Sequence, residues 1–219
     1  MDPLPLIVPV EPFHVQLLKS CERYGNDVAL TDSETERSLT FRDVHLLSVR
    51  MATEFKKIGV EKGEIVLCAL PNCLEYPLIF LGLAMNGAVL SGVPHDLKQY
   101  ELSEYLRQTR SRFLVACKDQ SELVQGLDHV KVIFAESLFD SLDNSDVPLP
   151  ESDFVHDATI GPDSILLAPF SSGTTGTPKC ALLTHENYSA ATASLKAYSI
   201  YETKKYKFRV NGTFKNYTA

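Results

Sequence analysis

The segment from Phe170 to Lys179 has the composition of a phosphate-binding loop. It combines two glycines with a dense run of hydroxyl side chains, and it ends in a lysine that follows a proline. Glycine lets the backbone turn tightly, so that successive N–H groups can point at one anion. The hydroxyls add donors and the lysine adds a full positive charge. The sequence therefore predicts a loop that holds polyphosphate oxygens and is built from Ser171, Ser172, Gly173, Thr174, Thr175, Gly176, Thr177, Pro178 and Lys179.

Two common nucleotide-binding loops have a different spacing. A P-loop carries its lysine directly after the second glycine, whereas Thr177 and Pro178 separate Gly176 from Lys179 here. The residue after the lysine is Cys180, where a P-loop needs a serine or threonine for magnesium. The dinucleotide fingerprint G-x-G-x-x-G is also absent from the sequence. A P-loop NTPase is therefore the least favoured interpretation of this segment.

Composition and charge indicate a globular protein with an acidic body. The chain has 219 residues, of which 44% are hydrophobic and 22% charged, and this suffices for one substantial core. The net charge is −7, but residues 1–202 hold 16 basic against 28 acidic side chains, a balance of −12. An acidic body argues against nucleic acid as a partner.

The cysteines and histidines form no metal-binding motif. Five cysteines occur without a C-x-x-C pair, and no histidine lies at ligand spacing from them, so no zinc site is predicted. Three of the cysteines lie in apolar runs, which predicts small core residues of a reducing compartment: Cys68, Cys117 and Cys180. His185 and His95 are interpreted as structural residues, the first at the start of a helix and the second in a turn.

One apolar stretch is long enough to cross a membrane. Residues 76–95 contain no charged side chain over twenty positions, and this is the length of a transmembrane helix. Pro77, the pair Asn86-Gly87 and Pro94 interrupt the stretch, which predicts a helix, a turn and a strand instead of a membrane span. The N-terminus lacks the basic start of a secretory signal. A cytoplasmic location is therefore expected.

Apolar periodicity predicts helices that alternate with buried strands. The predicted helices are Phe13 to Tyr24, Thr40 to Ile58, Leu74 to Met85, Tyr100 to Gln108, Gln120 to Leu127, and Thr184 (as N-cap) to about Tyr198. The predicted strands are Val28 to Thr31, Ser38 to Thr40, Ile65 to Leu70, Ala88 to Val93, Phe113 to Ala116, Lys131 to Phe134, Ser164 to Ala168, and Cys180 to Leu183. Residues 141–163 are rich in proline, aspartate and serine and are predicted to form a surface connection. This order predicts an α/β fold with a mostly parallel sheet and helices on both faces.

The loop and its flanks resemble the signature of the adenylate-forming superfamily, which includes acyl-CoA synthetases, 4-coumarate–CoA ligases and luciferases. That signature is a Ser/Thr/Gly run, then Thr-Gly-x-Pro-Lys-Gly, a short apolar strand and a Thr-His pair. The chain matches it with Thr175-Gly176-Thr177-Pro178-Lys179 and with Thr184-His185. It departs at Cys180, where the family usually has glycine. If that position requires a positive φ, cysteine strains the loop by about 1–2 kcal/mol.

Further landmarks of the resemblance are Leu39–Val44, Gly59–Val66, Pro71–Glu75 and Gly87–Val89. They lie in the expected order, so residues 1–200 are expected to form a partial N-terminal domain of an adenylate-forming ligase. Residues 201–219 are expected to be a polar and basic tail outside the fold. Family members are more than twice as long, and the chain is therefore expected to be a truncated isoform or the translation of an incomplete gene model.

The resemblance implies an acid–CoA ligase reaction. A carboxylic acid attacks the α-phosphate of ATP, giving an acyl-adenylate and pyrophosphate, and coenzyme A then takes the acyl group; Mg²⁺ accompanies the ATP. The nine loop residues named above would hold the β- and γ-phosphates, with Lys179 as their counter-charge. No catalytic residue and no metal ligand is assigned within this chain.

Several family segments have no counterpart here: the adenine-binding segment, the Tyr-Gly-x-Thr-Glu motif, the ribose-binding aspartate and the C-terminal catalytic lysine. The chain alone is therefore expected to be catalytically incomplete and to bind ATP, Mg²⁺ and CoA without high affinity. The alternative is a non-catalytic module that keeps a phosphate site or pairs with a full-length relative. A full-length form of this kind could also be peroxisomal.

Overall fold

The computed structural model describes residues 8–143, 157–171 and 178–203. The helices are α1 Phe13–Tyr24, α2 Phe41–Ile58, α3 Tyr76–Met85, α4 Gln99–Thr109, α5 Ala135–Asp143 and α6 His185–Thr203. The strands are β1 Val28–Thr31, β2 Ser38–Thr40, β3 Ile65–Ala69, β4 Val89–Gly92, β5 Phe113–Ala116, β6 Lys131–Phe134, β7 Ile165–Leu167, β8 Phe170–Ser171, β9 Lys179–Cys180 and β10 Leu183–Thr184.

A six-stranded sheet forms the centre of the fold. Its strand order is β10-β7-β4-β3-β5-β6. All neighbouring strands are parallel except β10, which pairs antiparallel with β7 at one edge. The predicted α/β fold with a mostly parallel sheet is therefore confirmed.

Helices cover the sheet on both faces. Along β3, Val66 and Cys68 point into one core cluster, which α2 and α3 complete, while Leu67 and Ala69 point into a second cluster. The second cluster contains Leu102 and Leu106 of α4. Successive side chains of a strand point to opposite faces, so a strand buried on both faces has a continuous apolar sequence.

Capping residues set both ends of α2. The hydroxyl of Thr40 accepts a hydrogen bond from the N–H of Asp43 at 3.1 Å, and the carboxylate of Asp43 accepts from the N–H of Thr40 at 2.9 Å. This reciprocal pair satisfies first-turn N–H groups that have no partner within the helix. The helix ends at Gly59, whose φ of 95° lies in the left-handed region that glycine adopts without strain. Both ends of α2 agree with the prediction.

The uncharged stretch of residues 76–95 folds as the sequence predicts. It contains α3, a turn at Asn86-Gly87 and β4. The helices within the described ranges include none that is long and apolar enough to span a bilayer.

Two predicted elements differ from the structure. Residues 120–127 do not form a helix: one 3-10 turn at Lys118–Gln120 is followed by further turns. Gly126 has a φ of 80°, which ends any helix there. A helix of eight residues also forms too few hydrogen bonds to offset the free-energy cost of nucleation. Helix α5 is not predicted by the sequence, and its last residues fall in the segment expected to be irregular; Leu138 and Leu142 anchor it in the core.

The predicted strand Cys180 to Leu183 is divided into two. Residues 179–180 form β9, which pairs with β8, and residues 183–184 form β10, which pairs with β7. Between them, the N–H of Ala181 donates to the carbonyl of Pro169 at 2.9 Å, and Leu182 is exposed. The chain therefore changes from one sheet to another within an apolar run that reads as a single strand.

The hydroxyl of Tyr76 lies against Gly92 at the carboxyl end of β4, and this contact gives a test of the packing there. A Cβ on Gly92 would lie 2.5 Å from the Tyr76 hydroxyl oxygen. Burial, reinforced by Cys68, raises the pKa of Tyr76 above its ordinary value. We expect Gly92→Ala to lower the free energy of unfolding by about 1–3 kcal/mol because of overpacking, measured by urea denaturation.

Two further variants test the cause of that loss. Combining Gly92→Ala with Tyr76→Phe removes the clashing hydroxyl, so the loss relative to Tyr76→Phe alone becomes smaller. Gly161→Ala is the matched control, because nothing lies within 4 Å of a Cβ built there. An equal loss with and without the hydroxyl would contradict the proposed clash.

Candidate phosphate-binding site

The two ends of the predicted phosphate loop are joined as a hairpin. Strands β8 and β9 pair antiparallel, with Ser171 opposite Lys179 and Phe170 opposite Cys180. The hydroxyl of Ser171 donates a long hydrogen bond of 3.5 Å to the carbonyl of Lys179. The structure thus brings together the first and last of the predicted site residues, with Pro178 beside them. The others lie outside the described residues: Ser172, Gly173, Thr174, Thr175, Gly176 and Thr177.

The chain that enters the hairpin is fixed to the central sheet. The N–H of Ala168 donates to the carbonyl of Leu90 at 2.9 Å. The carbonyl of Ala168 accepts a hydrogen bond of 2.7 Å from the hydroxyl of Ser91, which is fully buried. A buried hydroxyl needs such a partner, and here the partner is the backbone just after β7. The start of the hairpin is therefore anchored on β4.

Helix α4 supports the hairpin from the side. The ring of Tyr105 meets the ring of Phe170 edge-on at a centroid distance of 4.5 Å. One turn further along α4, the amide of Gln108 donates to the carbonyl of Pro178 at 2.9 Å. One contact therefore holds each end of the loop. Sequence reasoning missed both residues: the three-residue spacing puts Tyr105 and Gln108 on one face of α4, but 70 residues separate Gln108 from its partner.

An exposed ion pair orients Gln108. The carboxylate of Glu104 accepts from the amide of Gln108 at 2.8 Å and from the guanidinium of Arg107 at 2.6 and 2.8 Å. Hydrogen bonds from Arg107 first and Gln108 second lower the pKa of Glu104 to about 2. The carboxylate therefore stays ionised across the physiological range and keeps accepting from Gln108.

The ammonium group of Lys179 lies on the surface at the end of the hairpin. Lys179 is exposed, and none of the ion pairs formed among the described residues uses it. A flexible lysine at the mouth of a loop can approach an anion without first breaking a salt bridge. The position fits a counter-charge for phosphate.

Cys180 causes no backbone strain. It lies in β9, and within the described ranges the non-glycine residues with positive φ are Glu36 and Arg110. The condition under which cysteine would strain the loop is therefore not met. The thiol lies 3.8 Å from the carbonyl of Ala168 as a weak donor, and burial raises its pKa.

The helix after the loop begins as the sequence predicts. The hydroxyl of Thr184 accepts from the N–H of Asn187, and the amide oxygen of Asn187 accepts from the N–H of Thr184, both at 3.1 Å. Thr184 is therefore the N-cap of α6, and His185 is its first residue. His95 lies exposed in the turn after β4, where its carbonyl accepts from the amide of Gln120 at 2.5 Å.

The described part of the chain contains no cluster of three metal-ligating side chains. Among residues 8–143, 157–171 and 178–203, no three His, Cys, Asp or Glu side chains form a group that could hold a metal ion. The five cysteines are free thiols, and Cys21 and Cys68 are buried. At the base of the loop, the described residues present the hydroxyl of Ser171 and the ammonium group of Lys179, and both groups can donate hydrogen bonds.

Comparison with known proteins identifies relatives over most of the chain. The profile of the family described as AMP-binding enzyme matches residues 17–212. The 4-coumarate–CoA ligase 1 of Arabidopsis thaliana is 27% identical in an alignment 191 positions long, which covers 79% of this chain and 33% of the relative. The 4-coumarate–CoA ligase 3 of Oryza sativa subsp. japonica is 31% identical in an alignment 166 positions long, which covers 74% of this chain and 30% of the relative.

Solved structures share the fold. The inhibitor-bound N-terminal domain of FACL13 from Mycobacterium tuberculosis superposes with a TM-score of 0.69 at 24% identity, covering 80% of this chain and 45% of that domain. VinN in complex with 3-methylaspartate gives a TM-score of 0.72 at 18% identity, over 87% and 52% of the two chains. The chain spans about one third of the length of the curated relatives it matches.

Proposed function

Because the chain belongs to the family of AMP-binding enzymes, the adenylate-forming acid–CoA ligases, we propose that its loop binds the β- and γ-phosphates of ATP. One observation carries the proposal: the pairing of Ser171 with Lys179 closes the loop at its base. A closed base brings together the two ends of a segment rich in glycine and hydroxyl residues, the composition of loops whose N–H groups bind one anion.

Within that loop we assign roles by residue type. The hydroxyls of Ser171, Ser172, Thr174, Thr175 and Thr177 donate hydrogen bonds, Gly173 and Gly176 let the backbone turn, and Pro178 directs the chain into Lys179. Lys179 supplies the counter-charge. Donors that are already in place when pyrophosphate leaves stabilise the developing negative charge without reorganising.

The other participants of the reaction are proposed at the level of the family. A carboxylic acid, ATP with Mg²⁺, and CoA are the substrates of an acid–CoA ligase. The described residues provide no ligand set for Mg²⁺, and we assign the metal no role on this chain. The phosphates do fit, because the exposed Lys179 and the hydroxyl of Ser171 both lie at the base of the loop.

We propose further that residues 1–219 alone do not activate acids, because the adenosine half of ATP and the acid have no assigned binding residues here. The expected result is binding of pyrophosphate without carboxylate-dependent exchange of labelled pyrophosphate into ATP. Exchange is measured with a panel of fatty and aromatic acids, with 4-coumarate–CoA ligase as the positive control. Exchange by the purified chain above that of its Lys179→Gln variant would overturn this proposal.

The second candidate is a non-catalytic module that pairs with a full-length relative. It is favoured by β10, which forms an edge of the central sheet among the described strands, and by the exposed side chain of Leu182 directly before it. An open strand edge can pair with another chain. Co-purification with a full-length ligase, lost on Leu182→Lys, tests this candidate. Fluorescent fusions test the proposed cytosolic location, against a peroxisomal one for a full-length form.

A further inference from the structure

His185 connects the segment that follows the loop to the first helix. The main-chain N–H of Phe13 donates to Nδ1 of His185 at 3.1 Å, across 172 residues of sequence. Phe13 is the first residue of α1, and the N-cap residue Pro12 makes no side-chain hydrogen bond to that helix. A first-turn N–H has no partner within its own helix. The imidazole of His185 therefore acts as a long-range N-terminal cap of α1.

Two further contacts join α1 to α6 at this point. The amide of Gln16 donates to the hydroxyl of Ser189 at 2.8 Å, and the ring of Phe13 meets the ring of Tyr188 edge-on at 4.6 Å. His185 and Ser189 are essentially fully buried. We name this set of contacts the α1–α6 junction. It closes the fold between its N-terminal helix and the helix that begins directly after β10.

The cap at Phe13 requires a neutral imidazole. Nδ1 accepts a hydrogen bond only when it carries no proton, and in the imidazolium ion both ring nitrogens are donors. Protonation at Nδ1 would therefore place two donors, the ring N–H and the N–H of Phe13, against each other with no acceptor between them. His185 is also the first residue of α6, so the positive ends of two helix dipoles lie at the ring. Burial adds a desolvation cost to any charge there.

A titratable group in ring contact with His185, described by the structure, also disfavours a charge on it. The ring of His14 on α1 meets the ring of His185 at a centroid distance of 5.3 Å, and both rings are fully buried. A charge on either ring disfavours a charge on the other. On α3, the neighbouring side chain is the uncharged Phe80. The charged groups on the adjoining segments are exposed to water, which screens them: Glu11, Lys19, Asp163 and Glu186.

We propose that the α1–α6 junction is an acid-sensitive latch. Above about pH 6.5, the ordinary pKa of histidine, neutral His185 caps α1 and the junction is closed. Below that pH the unfolded chain takes up a proton that the closed junction excludes, so acid favours the unfolded chain, in which the junction is open. The latch rests on the hydrogen bond between His185 and Phe13 and on the burial of the ring, and it is independent of the loop's ligand.

The first test compares pH dependences of unfolding. If closed His185 stays neutral, the unfolding equilibrium constant of the wild-type chain rises about tenfold more between pH 7.5 and 5.5 than that of His185→Asn. Asparagine places an oxygen acceptor near the position of Nδ1 and does not titrate. His129→Asn, the same change at an exposed histidine, is expected to keep the wild-type pH dependence. Equal pH dependence of wild type and His185→Asn would overturn the proposal.

The second test needs no variant that must fold. The ¹⁵N chemical shifts of histidine rings report which nitrogen carries a proton, so they are followed in the labelled wild-type chain from pH 7.5 to 5.5. The expected result is that Nδ1 of His185 remains an unprotonated acceptor as long as the chain is folded. A His185 ring that is half protonated near pH 6.5 within the folded chain would overturn the latch.

Discussion

The Lys179→Gln variant is expected to bind pyrophosphate ten- to a hundredfold more weakly than the wild-type chain. Lys179 is exposed at the closed base of the loop, and a hydrogen bond between charged groups contributes about 1.5–3 kcal/mol. Each loss of about 1.4 kcal/mol is a tenfold loss of affinity. Titration calorimetry with pyrophosphate at fixed ionic strength measures the change.

Two controls separate the role of Lys179 from general electrostatics. Lys196→Gln removes the same charge from an exposed position on α6, and it is expected to leave the affinity within about twofold because exposed distant charges are screened by salt. Ser171→Ala removes the hydroxyl opposite Lys179 and keeps the hairpin, so a smaller loss is expected. Equal affinities of wild type and Lys179→Gln would refute the assignment of Lys179.

The Gly82→Ala variant is expected to lose about 3 kcal/mol of unfolding free energy. Gly82 lies where α3 crosses α2, and a Cβ there would be 2.7 Å from Cγ of Met51 and 2.9 Å from the backbone nitrogen of Ala52. The methionine side chain can move, but the backbone of Ala52 can move only with the whole of α2. The gain in helix propensity from glycine to alanine, about 1 kcal/mol, is smaller than this cost.

Urea denaturation of Gly82→Ala measures the loss, with Gly161→Ala as the reference for the same change in open space. A Gly82→Ala protein that is as stable as wild type would mean that the two helices separate without cost. In that case the close α2–α3 crossing would not be a rigid part of the core.

The parts of the fold that the sequence predicts are those with a local cause. The Thr40–Asp43 pair and Gly59 determine both ends of α2 through hydrogen bonds and backbone conformation within a few residues. The apolar run that begins at Ile65 predicts β3, because a strand buried on both faces needs no polar positions. Likewise Thr184 begins α6 through its own hydroxyl.

The parts that the sequence does not predict depend on distant residues. Nothing near Ala181 shows that its N–H pairs with Pro169, so the division between β9 and β10 follows only from the sheet. Leu123 and Leu127 have helical spacing, but they pack on the second core cluster from a series of turns. Tertiary packing here outweighs a weak local preference.

The candidate site shows the same division. The composition of the loop predicts a phosphate ligand from residue types alone, and that prediction still awaits its binding test. The support of the loop by Gln108 and Tyr105 could not be predicted, because a helix face does not specify which distant backbone it will contact. Cys180 shows the opposite case: the sequence predicted strain only if this position required a positive φ, and the extended backbone of β9 accepts any residue.

The sheet topology has a consequence for the order in which the protein assembles during synthesis. Strands β3 to β6 are mutually parallel neighbours and are complete once Phe134 has left the ribosome. Strand β7 joins them through β4, and the bond between Ser91 and Ala168 spans 77 residues. Chains emerge from the N-terminus onward. Strands β3 to β6 can therefore associate while the β8–β9 hairpin is still inside the ribosome. We therefore expect nascent chains to gain affinity for pyrophosphate late, after their parallel core has already become resistant to protease.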